Sequence, residues 1–218
     1  MQNILENCDH KSRMSGDERR DQILHTAMEL FSRHGFKGTT TKMIAEASGV
    51  SEAMVFRHFA TKDELYGAII HHQACGAGEG EGFPWEQCPE LMEAWKTGDD
   101  FAFFFNMARM AMTKHREDVA FMRLLMYSAL EEHDLADRFF REFVSSGYDF
   151  IGGYIERRQK EGAFREVNPR VVVRAFMGML IHHSLNDILW DRKRTLLDAD
   201  NDEVAREFAN ILIDGIKN

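Results

Sequence analysis

The sequence contains few cysteines and few prolines, three of each among 218 residues. Because an odd number of cysteines leaves at least one unpaired, Cys8, Cys75 and Cys88 predict no disulfide framework and suit a reducing compartment. Hydrophobic residues make up 44% of the chain and charged residues 29%. This composition is too apolar for a disordered protein and is typical of a packed, mostly helical one.

Long uninterrupted hydrophobic runs are also missing. The longest apolar stretches, residues 101–112 and 171–190, are broken by charged or polar side chains such as Arg109 and Arg174, so neither predicts a membrane span. Residues 1–14 have no continuous apolar core and do not resemble a secretory signal. We therefore expect a cytoplasmic protein with no membrane association.

The net charge of −9 by itself argues against a polyanionic partner, but the charge is unevenly distributed. Through Glu64 there are nine Lys or Arg residues against ten Asp or Glu, whereas the rest of the chain has eighteen against twenty-six. The acidity therefore lies mainly outside the N-terminal part, which is close to neutral.

Four helix starts follow one another closely in that part. Ser15 and Thr61 each precede a glutamate by three residues, which is the capping-box pattern, and Thr40 and Ser51 can each cap a short helix. The two short helices are joined by Gly-Val-Ser, beginning at Gly49. A short turn containing glycine between two short helices is typical of a helix-turn-helix.

The stretch from residue 35 to 65 closely resembles the DNA-binding domain of the TetR family of repressors. The family pattern is glycine-aromatic, Thr or Ser, Ile-Ala, Ala-Gly-Val-Ser, aromatic-x-His-Phe, then Lys and Leu. In this chain the pattern is met by Gly35-Phe36, where we also expect the first helix to end, and by Thr40, Ile44-Ala45, Ser48-Gly49-Val50-Ser51, Phe56-Arg57-His58-Phe59, Lys62 and Leu65.

The resemblance implies an all-α homodimer that binds a palindromic DNA operator and is released by a small apolar or amphipathic ligand. On this basis we expect a flexible N-terminal arm at 1–14, a helix-turn-helix domain at 15–66 and a helical effector-binding and dimerisation domain at 67–218. Residues 76–89, rich in glycine and acid, predict a linker within the latter. They contain neither nucleotide-binding glycine motif.

The helix-turn-helix supplies the candidate DNA contacts. Phosphates need hydroxyls, amides or cations, and base edges in the major groove would meet the start of the third helix. Glu52 can accept from cytosine, although a solvated acid favoured by the helix dipole is an equal alternative. The candidate phosphate contacts are Thr40, Thr41, Lys42, Ser51, His58 and Lys62, and the candidate base contacts are Glu52, Ala53 and Met54.

Phe56 departs from the family, which commonly has tyrosine at this position. A phenyl ring cannot donate a hydrogen bond to phosphate, so we expect Phe56 to pack beside the DNA backbone. Arg57, or the basic residues of the N-terminal arm, would then supply the missing contact. Those basic residues are Lys11, Arg13, Arg19 and Arg20.

Residues 101–126 are rich in phenylalanine and methionine around most of each helix. Such helices are buried, so core packing is one interpretation. A ligand pocket is the other, because these side chains adapt to bulky ligands and the family places its inducer here. The candidate pocket residues are Phe104, Met107, Met110, Met122, Met126, Tyr127 and Tyr148, with Arg109 and Arg123 as further polar anchors.

Two apolar stripes near the C-terminus suit self-association, although a monomer core would also bury some of these positions. In the family such helices pair as a four-helix bundle. The candidate dimer residues are Val172, Ala175, Phe176, Met179 and His183 on one helix and Val204, Phe208, Ile211 and Leu212 on the last.

Ten histidines and many acids raise the alternative of a helical metalloenzyme. Its motifs are absent, since no glutamate stands three residues before a histidine and no H-E-x-x-H occurs. We therefore expect no catalytic residues, no metal and no cofactor. A DNA-binding regulator without a small-molecule inducer is a second alternative.

Overall fold

The computed structural model describes residues 14–75 and 83–218, which fold into helices and turns with one isolated bridge between Phe164 and Lys217. The all-α fold expected from the sequence is confirmed. In chain order the helices are α1 (Gly16–Gly38), α2 (Thr41–Ser48), α3 (Glu52–His58), α4 (Lys62–Cys75), α5 (Pro89–Thr97), α6 (Asp100–Glu117), α7 (Val119–Leu130), α8 (Asp134–Phe139), α9 (Ser145–Lys160), α10 (Pro169–Leu185) and α11 (Asn201–Ile216); π-helical turns Phe140–Val144 and Asn186–Trp190 extend α8 and α10.

The first helix begins at the predicted capping box but does not end at Gly35. The Glu18 amide donates to Ser15 Oγ at 3.1 Å, and the Ser15 amide donates to Glu18 Oε2 at 2.7 Å. At Gly35 the chain turns into the left-handed region with φ +69°, which only glycine adopts freely, and then resumes helical geometry to Gly38. The glycine therefore kinks α1 instead of ending it.

The turn between α2 and α3 follows from Gly49. Its φ of +66° lets its own amide bond to the Glu46 carbonyl and the Val50 amide bond to the Ala45 carbonyl at 3.0 Å. These two bonds are the usual left-handed ending of a helix, and they satisfy carbonyls that α2 leaves open. The result holds α3 at a fixed angle to α2.

One hydrophobic cluster joins the N-terminal helices to α7. It contains residues from α1 to α4, such as Phe31, Val55 and Tyr66, together with Phe121 and Leu124 of α7. The packing unit therefore extends past residue 66, because α7 covers a face of α1 that would otherwise be exposed.

A second cluster forms the core of α5, α6, α9, α10 and α11. Phe103 stacks on Tyr154 with ring centroids 3.8 Å apart, and Phe104 packs edge-on against Phe176. Each buried phenylalanine contributes about 2–3 kcal/mol of hydrophobic free energy. This aromatic centre fixes the relative positions of the helices that carry the cavities described below.

The predicted arm and linker fall largely outside the described residues, at 1–13 and 76–82. Residues 83–87, the later part of the predicted linker, form a turn in which Trp85 is 5% exposed and stacks on Phe83. Glycine content drew attention to this segment, but its two aromatic rings anchor the later half in the core.

Candidate nucleic-acid interface and ligand cavities

The residues expected to contact DNA lie at the start of α2 and along α3. Their side chains are on the protein surface, because Ile44, Ala45 and Val55 face inward and turn the opposite sides of both helices outward. The exposed members are Thr40, Lys42, Ser51, Glu52, Ala53, Phe56 and Arg57, and the half-buried members are Thr41, Met54, His58 and Lys62.

Two hydroxyls on this surface cap helices. Thr40 Oγ accepts from the Met43 amide and Ser51 Oγ accepts from the Met54 amide, each at 3.2 Å. Because a hydroxyl can accept and donate at once, each side chain keeps a proton that it can donate to an anion. The same residues therefore serve helix formation and can contact phosphate.

Glu52 bonds within the protein. Thr41 Oγ donates to Glu52 Oε1, which links the first residues of α2 and α3. Lys42 lies beside Glu46 at 4.0 Å, an exposed pair that is easily separated. Glu52 thus links α2 to α3, whereas the Lys42 ammonium remains accessible to a binding partner.

Lys62 occupies a different environment from the one expected of a phosphate contact. Its ammonium donates to the carbonyls of Phe36 at 2.9 Å and Thr39 at 3.0 Å, and lies 4.0 Å from the centre of the Phe36 ring. Cations satisfy the open carbonyls at a helix C-terminus. Lys62 therefore stabilises the end of α1. The sequence pattern could not show this role, because the two carbonyls lie more than twenty residues away in the chain.

The basic residues proposed for the N-terminal arm also separate. Arg19 and Arg20 lie in the first turns of α1, where the Arg20 guanidinium sits over the Phe59 ring at 4.8 Å. Lys11 and Arg13 lie outside the described residues. Arg57 is exposed on α3 beside Phe56, whose ring is 46% exposed.

A polar junction ties the kink of α1 to the end of α7. The Phe36 amide donates to Glu131 Oε2 at 3.0 Å, and Glu131 approaches so closely that a Cβ on Gly35 would lie 2.5 Å from its other carboxylate oxygen. The His133 ring packs on Phe36 and Tyr66, and burial raises the pKa of Tyr66 to about 12. Movement of α7 would therefore displace α1.

Two cavities lie in the C-terminal part of the molecule. The first, which we call the arginine cavity, has a volume of about 360 Å³ and is lined by Met112, Arg116, Val119, His183, Ser184, Asp187, Ile188, Arg192, Arg194 and Asn201. The second, which we call the apolar cleft, has a volume of about 270 Å³ and is lined by Met122, Arg123, Met126, Tyr127, Leu130, Leu185, Ile188 and Leu189.

The candidate pocket residues divide between cleft and core. Met122, Met126 and Tyr127 line the apolar cleft. Phe104 is 0% and Met107 4% exposed within the aromatic core, and Met110 and Tyr148 pack against its edge. The sequence left open which of these residues line a pocket and which fill the core, and only the tertiary packing separates the two groups. The arginine cavity was missed because its residues come from four separate segments.

The candidate dimer residues divide in the same way. Phe176 is 0% exposed, and Val172, His183, Val204 and Leu212 are each less than 9% exposed, so they face the chain's own core. Met179 and Phe208 are half-buried, and Ala175 and Ile211 are exposed. Both helices carry the predicted apolar stripes, but several of the residues expected in the dimer surface face the core of the same chain. Val171 and Gly178 are further exposed positions on α10.

A family model described as bacterial regulatory proteins, tetR family, matches residues 23–69. Over this segment the N-terminal helices are similar to those of tetR-family regulatory proteins. The HTH-type transcriptional repressor Rv3405c of Mycobacterium tuberculosis is 46% identical over 50 residues, which are 23% of this chain and 27% of that relative. The HTH-type transcriptional repressor AcnR of Corynebacterium glutamicum is 35% identical over 60 residues, 28% of this chain and 32% of the relative. The matched segment thus spans about a third or less of these TetR-type relatives.

Solved structures share the fold over nearly the whole chain. NalD of Pseudomonas aeruginosa, the secondary repressor of the MexAB-OprM multidrug efflux pump, superposes with a TM-score of 0.67 at 20% identity, covering 94% of this chain and 99% of NalD. HlyIIR, a hemolysin II transcriptional regulator, gives 0.61 at 16% identity, with coverage of 94% and 99%. The resemblance to TetR-type structures therefore extends to the C-terminal helices as a fold.

Neither a membrane-spanning helix nor a metal-binding cluster is present among residues 14–75 and 83–218. No helix there is long and apolar enough to cross a membrane. Residues 14–75 and 83–218 also contain no group of three or more His, Cys, Asp or Glu side chains arranged to hold a metal ion.

Proposed function

We propose that this protein is a sequence-specific DNA-binding transcriptional regulator of the repressor type. The observation that carries the proposal is the match of residues 23–69 to TetR-family regulatory proteins, together with the outward placement of polar side chains on α2 and α3. In this function α3 would enter the major groove, and Ala53 and Met54 would meet base edges. Since bacterial DNA lies in the cytoplasm, the function would place the protein there.

The phosphate contacts in this proposal are Thr40, Lys42, Ser51 and Arg57. The two hydroxyls are fixed by their capping bonds and can still donate, and both cations are exposed. Lys62 is left out because its ammonium already bonds to two carbonyls. The two cations in each subunit, Lys42 and Arg57, would make binding weaken as salt concentration rises, whereas the two neutral hydroxyls would add little to the salt dependence.

We also propose that the protein acts as a homodimer through the outward sides of α10 and α11. Val171 is 63% and Ile211 59% exposed, so each helix presents a large apolar side chain on its outward side. Ala175 and Gly178 beside Val171 would allow two helices to approach closely. A twofold dimer matches a palindromic operator whose half-sites lie about 34–36 Å apart, or a multiple of that distance.

Release from DNA would pass through α7. The apolar cleft is lined by residues of α7. Directly after α7, Glu131 accepts a hydrogen bond from the Phe36 amide at the kink of α1. A ligand that shifts α7 would thus change the distance between the two helix-turn-helix segments of a dimer.

The experiment is a fluorescence-anisotropy titration with the DNA upstream of the protein's own gene and a shuffled control of equal length. We expect saturable, sequence-preferring binding, with the logarithm of affinity falling linearly with the logarithm of salt. Lys42→Ala should reduce the slope by about one per subunit. Lys96→Ala, exposed on α5 and outside the proposed DNA and dimer surfaces, is the matched control and should leave the slope unchanged.

Equal affinity for both DNAs at low salt, tested also on fragments tiled over the neighbouring genes, would contradict the proposal. Loss of binding in Lys96→Ala as large as in Lys42→Ala would contradict the assignment of the DNA-facing surface.

A further inference from the structure

The arginine cavity and the apolar cleft are neighbours that share one wall. Ile188 lines both, and it lies in the π-helical turn Asn186–Trp190 that extends α10. Such turns are rare and occur frequently at functional sites. The two spaces differ in chemistry, because one is lined by charged and polar groups and the other mainly by methionine and leucine.

The arginine cavity carries excess positive charge. Arg116 and Arg194 both bond to the same oxygen of Asp187, each at 3.3 Å. One carboxylate therefore faces two guanidinium groups, and Arg192 forms no ion pair with the residues that the structure describes. In a chain with a net charge of −9, this local imbalance favours an anionic ligand.

The loop that presents these arginines is rigid and locally strained. Asp191 Oδ1 accepts from the Thr195 amide at 2.7 Å, and its Oδ2 accepts from the Leu196 amide at 2.8 Å. Arg194, inside this turn, has φ +54°, a conformation that favours glycine or asparagine. An arginine held in an unfavourable backbone conformation, with its guanidinium at the cavity, indicates a role for the side chain.

His183 provides an independent sign that a polar ligand belongs in the cavity. Its ring is 8% exposed, and its Nε2 atom is buried without a hydrogen-bond partner among the described residues. Burial lowers the pKa of His183, so the neutral ring is favoured. Buried polar atoms nearly always have a partner, and an oxygen of a bound ligand would supply one.

The apolar cleft suits the other end of the same molecule. Met122, Met126, Leu185 and Leu189 provide adaptable hydrophobic walls on α7, at the end of α10 and in the π-helical turn. A straight alkyl chain bound there would bury apolar surface, whereas the head group would stay beside the arginines.

We propose that the two cavities form one site for an amphipathic carboxylate, with its anionic head in the arginine cavity and its alkyl chain in the apolar cleft. The site spans α6, α7 and α10, and α7 contacts α1 through Glu131. A ligand bound in this site would therefore change the position of the helix-turn-helix. This consequence rests on the proposed function, whereas ligand binding itself does not.

Isothermal titration calorimetry on the full chain without DNA tests the site, using decanoate, 1-decanol and acetate below their aggregation concentrations. We expect decanoate to bind about tenfold more tightly than decanol, because only the carboxylate reaches the arginines. Acetate, which lacks the alkyl chain, should show no saturable binding in the same range.

Two variants separate the head from the chain. Arg194→Gly removes the guanidinium and relieves the backbone strain, so the fold should be kept, as a thermal melt will check. It should weaken decanoate by about tenfold and leave decanol unchanged. Leu189→Gln should weaken both ligands. Lys96→Gln, exposed on α5 and outside both cavities, should change neither.

Equal affinities for decanoate and decanol, unchanged decanoate binding in Arg194→Gly, or no decanoate binding at all would overturn the proposal. Weakening of decanoate by Leu189→Gln without any change in decanol would overturn the shared site. A separate experiment adds decanoate to the protein–DNA complex and measures whether DNA binding changes. Binding of decanoate by a protein that binds no operator would leave the site intact and remove the proposed function.

Discussion

The side chains at the start of α2 and along α3 differ in what they can offer a phosphate group. Ser51 and Thr40 can donate a hydroxyl proton, Lys42 and Arg57 carry a charge, and the ring of Phe56 provides only apolar surface. Phe56 is 46% exposed on the surface that would face DNA. The interface therefore lacks one donor that a tyrosine would provide.

Phe56→Tyr should restore that donor. A hydrogen bond to a charged group contributes about 1.5 kcal/mol or more, so we expect operator binding at fixed salt to tighten at least about tenfold. Anisotropy titration against wild type measures the change, and Phe56→Leu serves as the control without a hydroxyl. An unchanged affinity in Phe56→Tyr would show that this ring does not lie near a phosphate.

Lys62→Met should reduce stability, because the Phe36 and Thr39 carbonyls lose the ammonium that now satisfies them. Two hydrogen bonds from a charged donor make a loss of about 2 kcal/mol reasonable, which corresponds to a melting temperature lower by about 5 °C. The salt dependence of DNA binding should stay as in wild type. A smaller salt slope with unchanged melting temperature would instead make Lys62 a phosphate contact.

At the scale of the helices, local signals predicted much of the structure. Thr40 and Gly49 located the two ends of α2, and Ser51 located the start of α3, because these signals act within a few residues. Sequence could not tell which side of an apolar helix meets its own core. Phe176 and Val204 therefore entered the expected dimer surface although they are buried, and the arginine cavity was missed because distant segments form its walls.

The contact between α6 and α10 predicts a dependence of stability on pH. Burial lowers the pKa of His115 from 6.5 to about 4, and its Nδ1 lies 2.9 Å from Ser184 Oγ. Because the folded pKa is depressed, the unfolded chain binds the proton first as pH falls below 6.5. The folded state therefore loses stability between pH 6.5 and about 4.

His115→Gln isolates this contribution, since glutamine keeps a hydrogen-bonding group but does not titrate. Between pH 7.5 and 5, wild type should lose about 2 kcal/mol more unfolding free energy than the variant. Urea denaturation at the two pH values gives both numbers. Identical losses in the two proteins would mean that His115 takes up its proton equally in both states.

For the whole molecule, dimerisation through the outward sides of α10 and α11 would bring two helix-turn-helix segments onto one operator. Ile211→Glu would place a charge in the proposed interface, where it would be desolvated without a partner. We expect the protein to become monomeric in sedimentation velocity at micromolar concentration and to lose operator affinity. Phe140→Glu, exposed but on another side, is the control and should remain dimeric. A dimeric Ile211→Glu protein would move the interface elsewhere.

In the proposed function, two α3 helices of a dimer read two half-sites of one operator. A hydroxyl-radical footprint on the DNA upstream of the gene tests it most directly, because it reports both specificity and geometry. We predict two protected regions related by twofold symmetry, with centres about 34–36 Å apart or a multiple of that spacing, and weakened protection with Lys42→Ala. Uniform protection along the DNA, or a single unpaired protected region, would contradict the account.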